Sequence, residues 1–114
     1  MPFRDLSPAE LEIVRRCLEV AAFEPSVFPD REFHTIFGVN RPIVQALARQ
    51  WPDLDETDLD VYLALNNAMN NVLGYPHRWH ANWPEHFAFS REQLFQTFYK
   101  WKGEIAPNYV EGME

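Results

Sequence analysis

The stretch Asp55-Glu56-Thr57-Asp58-Leu59-Asp60-Val61-Tyr62-Leu63-Ala64-Leu65-Asn66-Asn67-Ala68-Met69-Asn70-Asn71-Val72-Leu73-Gly74 decides the fold class of this chain. At about 100° per residue, Val61, Tyr62, Leu65, Ala68, Met69, Val72 and Leu73 gather on one side of a helix and Asn66, Asn67, Asn70 and Asn71 within one arc of the other. The pattern predicts a long helix from about Asp55 to Leu73, ended by Gly74 and Pro76. Asparagine competes with the helix backbone for hydrogen bonds and costs roughly 0.6 kcal/mol against alanine, so four together give up about 2 to 3 kcal/mol. A merely solvated face would carry Glu, Lys, Gln or Ala. The amide row therefore points to specific hydrogen bonding, either to backbone of the same molecule or to a ligand or partner.

Outward from this helix, the rest of the chain reads as further helices. Ser7-Pro8-Ala9-Glu10 is a capping box with proline at the first helical position, and it opens a helix running to about Phe23. Leu11, Val14, Leu18 and Ala21 set its apolar stripe, Cys17 lies within that stripe as a small core residue, and Glu12 and Arg16 are spaced as an i,i+4 pair on the wet side. After the connector Glu24-Pro25-Ser26-Val27-Phe28-Pro29, a short helix is expected from Asp30 to Phe37, ended by Gly38. Asn40 is placed to cap a third helix from Arg41 to about Gln50, closed by Trp51-Pro52. Ser90-Arg91-Glu92-Gln93 is a second capping box, opening a last helix that ends at Gly103. Between Gly74 and Phe89 lies an aromatic and histidine-rich stretch with no sustained period, read as an ordered loop with a short helical turn after Pro84. No strand-like alternation, internal repeat or low-complexity run stands out. The expectation is an all-α bundle of about five helices, one domain over residues 1–103 with a tail over 104–114.

Composition bounds the function. Hydrophobic residues make up 46% and aromatics 15% of 114 residues, enough for a real core without disulfides or metal. One cysteine forbids an intramolecular disulfide, and no apolar run approaches the roughly 18 residues a membrane span needs. With no apolar leader segment after Met1, the chain reads as a cytoplasmic protein away from membranes. Its net charge of −7 disfavours nonspecific attraction to nucleic acid. Five acids lie between Asp53 and Asp60; they suit a helix N-terminus, or a docking surface for a basic partner.

Three constellations could carry function. Residues 33–47 supply Phe33, Phe37, Val39, Val44 and Leu47 as buried positions around Gly38, and this segment resembles a helix-turn-helix DNA-binding motif. The resemblance implies that Arg41, Gln45 and Arg49 face the groove, where Arg and Gln make bidentate contacts to purine edges. The same pattern serves a plain helical hairpin in the core. A second group, His77, His80 and His86 with Glu85, has ligand types suited to zinc, although the spacing matches no metal signature. No phosphate loop, nucleophile elbow or cofactor motif is present, which points away from catalysis and predicts no cofactor.

The third constellation is the amide row together with the loop that follows it. Folded back, the loop would exchange hydrogen bonds with the amides as a structural network. Left open, Asn66, Asn67, Asn70, Asn71, Tyr75, His77, Arg78 and Trp79 would line a recognition surface, rich in residue types that dominate protein interfaces. The pairing of residues 28–38 with residues 66–77 also resembles a group of small uncharacterised bacterial helical proteins, which implies a compact helical domain and no particular activity. The expected function is a small non-catalytic protein-binding domain, of the kind an inhibitor or immunity protein uses. A helix-turn-helix regulator and a metal-binding protein are the alternatives.

Overall fold

The computed structural model describes residues 3–75 and 77–104. Within them the chain forms five α-helices: α1 (Pro8–Phe23), α2 (Asp30–Phe37), α3 (Arg41–Gln50), α4 (Leu59–Gly74) and α5 (Arg91–Lys102). Short 3-10 turns occupy Phe3–Asp5, Arg78–His80 and Trp83–Glu85, and no strand occurs among the described residues. The molecule is an all-α bundle. The expected tail lies outside the described residues from position 105 on.

Local chemistry sets the helix boundaries. Both capping boxes form: the Ser7 hydroxyl accepts from the Glu10 amide and the Ser90 hydroxyl from the Gln93 amide, with Glu10 and Gln93 returning the bond. Gly38 (φ 74°) and Gly103 (φ 78°) end α2 and α5 in the left-handed region, which a side chain would disfavour. Asn40 takes the N-cap position of α3 but makes no side-chain cap bond.

Helix α4 starts at Leu59, four residues later than the periodicity predicts. The Asp55 carboxylate accepts from both the amide and the hydroxyl of Thr57, and the Asp58 side chain caps Asp60, so the acids form local turns in place of a first helical turn. Glu56 accepts from the Phe3 amide, which ties the start of the described chain to this segment.

The two 16-residue helices α1 and α4 pack against each other at the centre. Helix α3 lies on α1, α5 on α4, and α2 against α4. The core holds Val14, Leu18 and Val20 of α1, Leu65, Met69 and Val72 of α4, Phe33 and Phe37 of α2, and Leu94, Phe95 and Trp101 of α5. Cys17 is fully buried in it, and burial pushes its thiol far above the usual range, so it is a packing residue. The expected Glu12–Arg16 pair does not form. Arg15 takes Glu12, while Arg16 pairs with Glu19 and turns toward the loop. No helix is long and apolar enough to cross a membrane among the described residues.

Candidate binding site at the aromatic loop

A helix leaves its last four carbonyls without intrahelical donors, and buried carbonyls need partners. At the end of α4, the Tyr75 amide takes the Asn71 carbonyl. The carbonyl of Val72 accepts from Nε2 of both His77 (2.8 Å) and His80 (3.0 Å), and the Leu73 carbonyl accepts from Nη2 of Arg91 (3.0 Å). Nδ1 of His77 accepts from the Trp79 amide, which fixes that ring as the Nε2–H tautomer. Burial, reinforced by the positive charge of His80, Arg91 and His86, outweighs the bond to Val72 and pulls its pKa down to about 4. His77 is thus a neutral helix cap.

The rest of the loop is fastened in the same manner. Arg16 of α1 donates from Nε and Nη2 to the His86 carbonyl, with its guanidinium 5.7 Å from the ring centres of Trp79 and Phe87. His86 stacks flat on Trp79 at 3.9 Å, and Trp83 Nε1 donates to the Phe89 carbonyl at 2.6 Å. The loop is ordered, as expected, but it is not held by the asparagines. What remains accessible is an open cleft of about 550 Å³ beside it, floored by Trp83, Phe87 and Phe89 and edged by His80, Arg91 and Glu92.

The four amides have three different environments. Asn67 Nδ2 donates to the Phe37 carbonyl at the end of α2 (2.8 Å), and its Oδ1 accepts from Asn66. Asn71 donates back to the Asn67 carbonyl within its own helix. Asn70 is exposed and makes no side-chain hydrogen bond to a described residue. The expectation of a loop partner for Asn67 is corrected: its partner is α2, because the amide face of α4 lies against the α2 C-terminus. Tyr75 donates to Glu32 at 2.6 Å, so it too is internally engaged, while Trp79 is half-buried under His86. The side chain of Arg78 lies outside the described residues.

Of the helix-turn-helix residues, Arg41 and Gln45 turn inward and Arg49 stays exposed. Arg41, whose side chain is 11% exposed, donates to the Ala21 carbonyl (2.9 Å), to the Phe28 carbonyl and to Asp30 (2.6 Å), and lies 4.4 Å from the Phe33 ring centre. Gln45 donates to the Ala22 carbonyl, and Arg49 sits over Phe23 at 5.4 Å. Arg41 and Gln45 therefore close the C-terminal end of α1, where positive charge is favoured, and do not present donors outward. As to metal, both nitrogens of His77 are engaged, and no group of three His, Cys, Asp or Glu side chains is placed to hold an ion among the described residues.

Sequence reasoning missed Arg16 and Arg91. Arg91 follows the N-cap of α5 as Arg41 follows that of α3, and that shared position was the available signal. No family model, curated protein or solved structure matches this chain.

Proposed function

We propose that the protein is a small non-catalytic binding domain that engages a protein partner at the cleft between the aromatic loop and the first turn of α5. The observation that carries this reading is the cleft itself: an open concavity with an aromatic floor and a mixed-charge edge, formed by a segment held to α1 by Arg16 on the His86 carbonyl, held to the α4 end by His77 and His80 on the Val72 carbonyl, and faced at Trp83 by Arg91 of α5. Apolar clefts with a few convergent polar groups on a rigid support are suited to anchoring an aromatic or aliphatic side chain. Two groups that catalysis could draw on are already committed, since His77 is hydrogen-bonded through both ring nitrogens and Cys17 is sealed in the core. Acidity favours a basic partner, as an inhibitor-type role would require.

The test is capture of partners from the native host at low salt, using the wild type, Ala88→Arg, and Thr35→Arg as a control on the exposed side of α2. Ala88 is an exposed residue of the cleft, so a guanidinium there fills it without entering the core. The expected result is a protein that co-purifies with the wild type and the control and is lost with Ala88→Arg, at unchanged melting temperature. A partner retained equally by all three would place recognition elsewhere.

A further inference from the structure

We infer that the chain is built from two copies of one helical unit, residues 7–51 and 58–101, and that the inner face of each unit fits a second copy of itself. Each unit consists of an N-cap, a 16-residue helix, a short segment that is the helix α2 in the first unit and two 3-10 turns in the second, a second N-cap followed at once by arginine, and a final helix. In the final segments the identical residues are Phe37 and Phe87, Arg41 and Arg91, and Trp51 and Trp101, so the likeness is nearly silent in sequence.

Three structural observations carry it. First, shifting α1 onto α4 by 51 residues matches six of the seven buried α1 positions, Val20 excepted, with buried α4 positions. Second, the two arginines do the same work. Arg41 stacks on Phe33 and caps α1, and Arg91 faces Trp83 and caps α4.

Third, the contacts between units are reciprocal. Arg16 of α1 donates to the end of the second unit's short segment at His86, and its counterpart Asn67 of α4 donates to the end of the first unit's short segment at Phe37, one residue beyond the position equivalent to His86. Likewise α1 packs on α5 and α4 on α3. Contact of i with j matched by contact of j with i is the mark of an isologous, two-fold interface. Under this relation the amide row Asn66, Asn67 and Asn70 occupies the place that Arg15, Arg16 and Glu19 hold on α1. Six of the seven residues lining a 470 Å³ cleft between α2 and α3 also have counterparts fifty positions on in the loop cleft.

A transplant in the full chain tests the equivalence. If position 67 is the counterpart of position 16, Asn67→Arg should reach the carbonyls ending α2 as Arg16 reaches His86. It should then recover most of the urea midpoint lost in Asn67→Ala, with slow amide exchange retained at Gly38, whose amide bonds the His34 carbonyl. An Asn67→Arg variant no more stable than Asn67→Ala overturns the proposal. A second variant reads the partner directly: deleting residues 53–56 shortens the connection between units, so that each unit must pair with one from another chain. A helical dimer by light scattering is expected, and a helical monomer overturns the inference. Should the shortened chain fail to fold, the transplant alone decides.

Discussion

Asn67 and Asn70 lie less than one turn apart on the same face of α4, yet they should respond to alanine with opposite signs. Removing Asn67 leaves the Phe37 carbonyl without its donor, at about 1 to 3 kcal/mol, which outweighs the roughly 0.6 kcal/mol of helix propensity gained. Only the propensity gain acts at the exposed Asn70. Urea unfolding of the two single variants should give a lower midpoint for Asn67→Ala and a slightly higher one for Asn70→Ala; a higher midpoint for both would remove the structural role of Asn67. His77 makes a second prediction at this scale. Its folded pKa of about 4 lies below the ordinary 6.5, so between those values the unfolded chain binds more protons and stability falls as pH falls. The loss should reach on the order of 3 kcal/mol by pH 4. A proton NMR titration of the His77 ring checks it, and an apparent pKa near 6.5 would contradict the cap.

At the scale of elements, helices are closed at their C-termini by side chains from elsewhere: α1 by Arg41 and Gln45, α2 by Asn67, α4 by His77, His80 and Arg91. Arg41→Ala should therefore cost about 3 kcal/mol, since it strips charged donors from carbonyls that water reaches poorly. Arg41→Lys should restore only part of that, because a single ammonium nitrogen cannot stand in the three positions from which Nε, Nη1 and Nη2 donate to Asp30, Ala21 and Phe28. Gly38→Ala should cost about 1 kcal/mol through backbone conformation alone, as its added Cβ would meet Leu63 only at an ordinary 3.7 Å. Thermal unfolding of the three variants ranks these effects.

The elements themselves were legible because their signals are local. Ser7 with Glu10, Ser90 with Gln93, Gly38 and Gly103 act within four residues, and the starts of α1 and α5 and the ends of α2 and α5 follow from them. Where local signals compete, as among Asp55, Thr57 and Asp58, the boundary moved. The partners of Asn67, Arg16 and Arg41 were not legible, because each bond spans packing that periodicity does not encode. Arg41 and Gln45 were visible as a pair on one helix face, but a row of donors facing a groove and one facing a helix end look alike in sequence. The cleft was hidden for the same reason: its aromatics were evident, and the concavity depends on how α5 docks.

For the molecule as a whole, the central claim is that these bonds make the bundle and its loop one cooperative unit. The loop draws its fixings from α1 through Arg16, from the α4 end through the Val72 carbonyl, and from α5 through Arg91 facing the Trp83 ring. It has no separate core on which to persist or melt alone, and two-state behaviour is the consequence. Equilibrium urea unfolding followed in one sample by helical circular dichroism and by fluorescence of a variant retaining only Trp79 and Trp83 measures this directly, with Trp51→Phe and Trp101→Phe as the background. Coincident transitions with one midpoint are predicted; a fluorescence change complete before the helices unfold would show the loop to be independent and contradict the account.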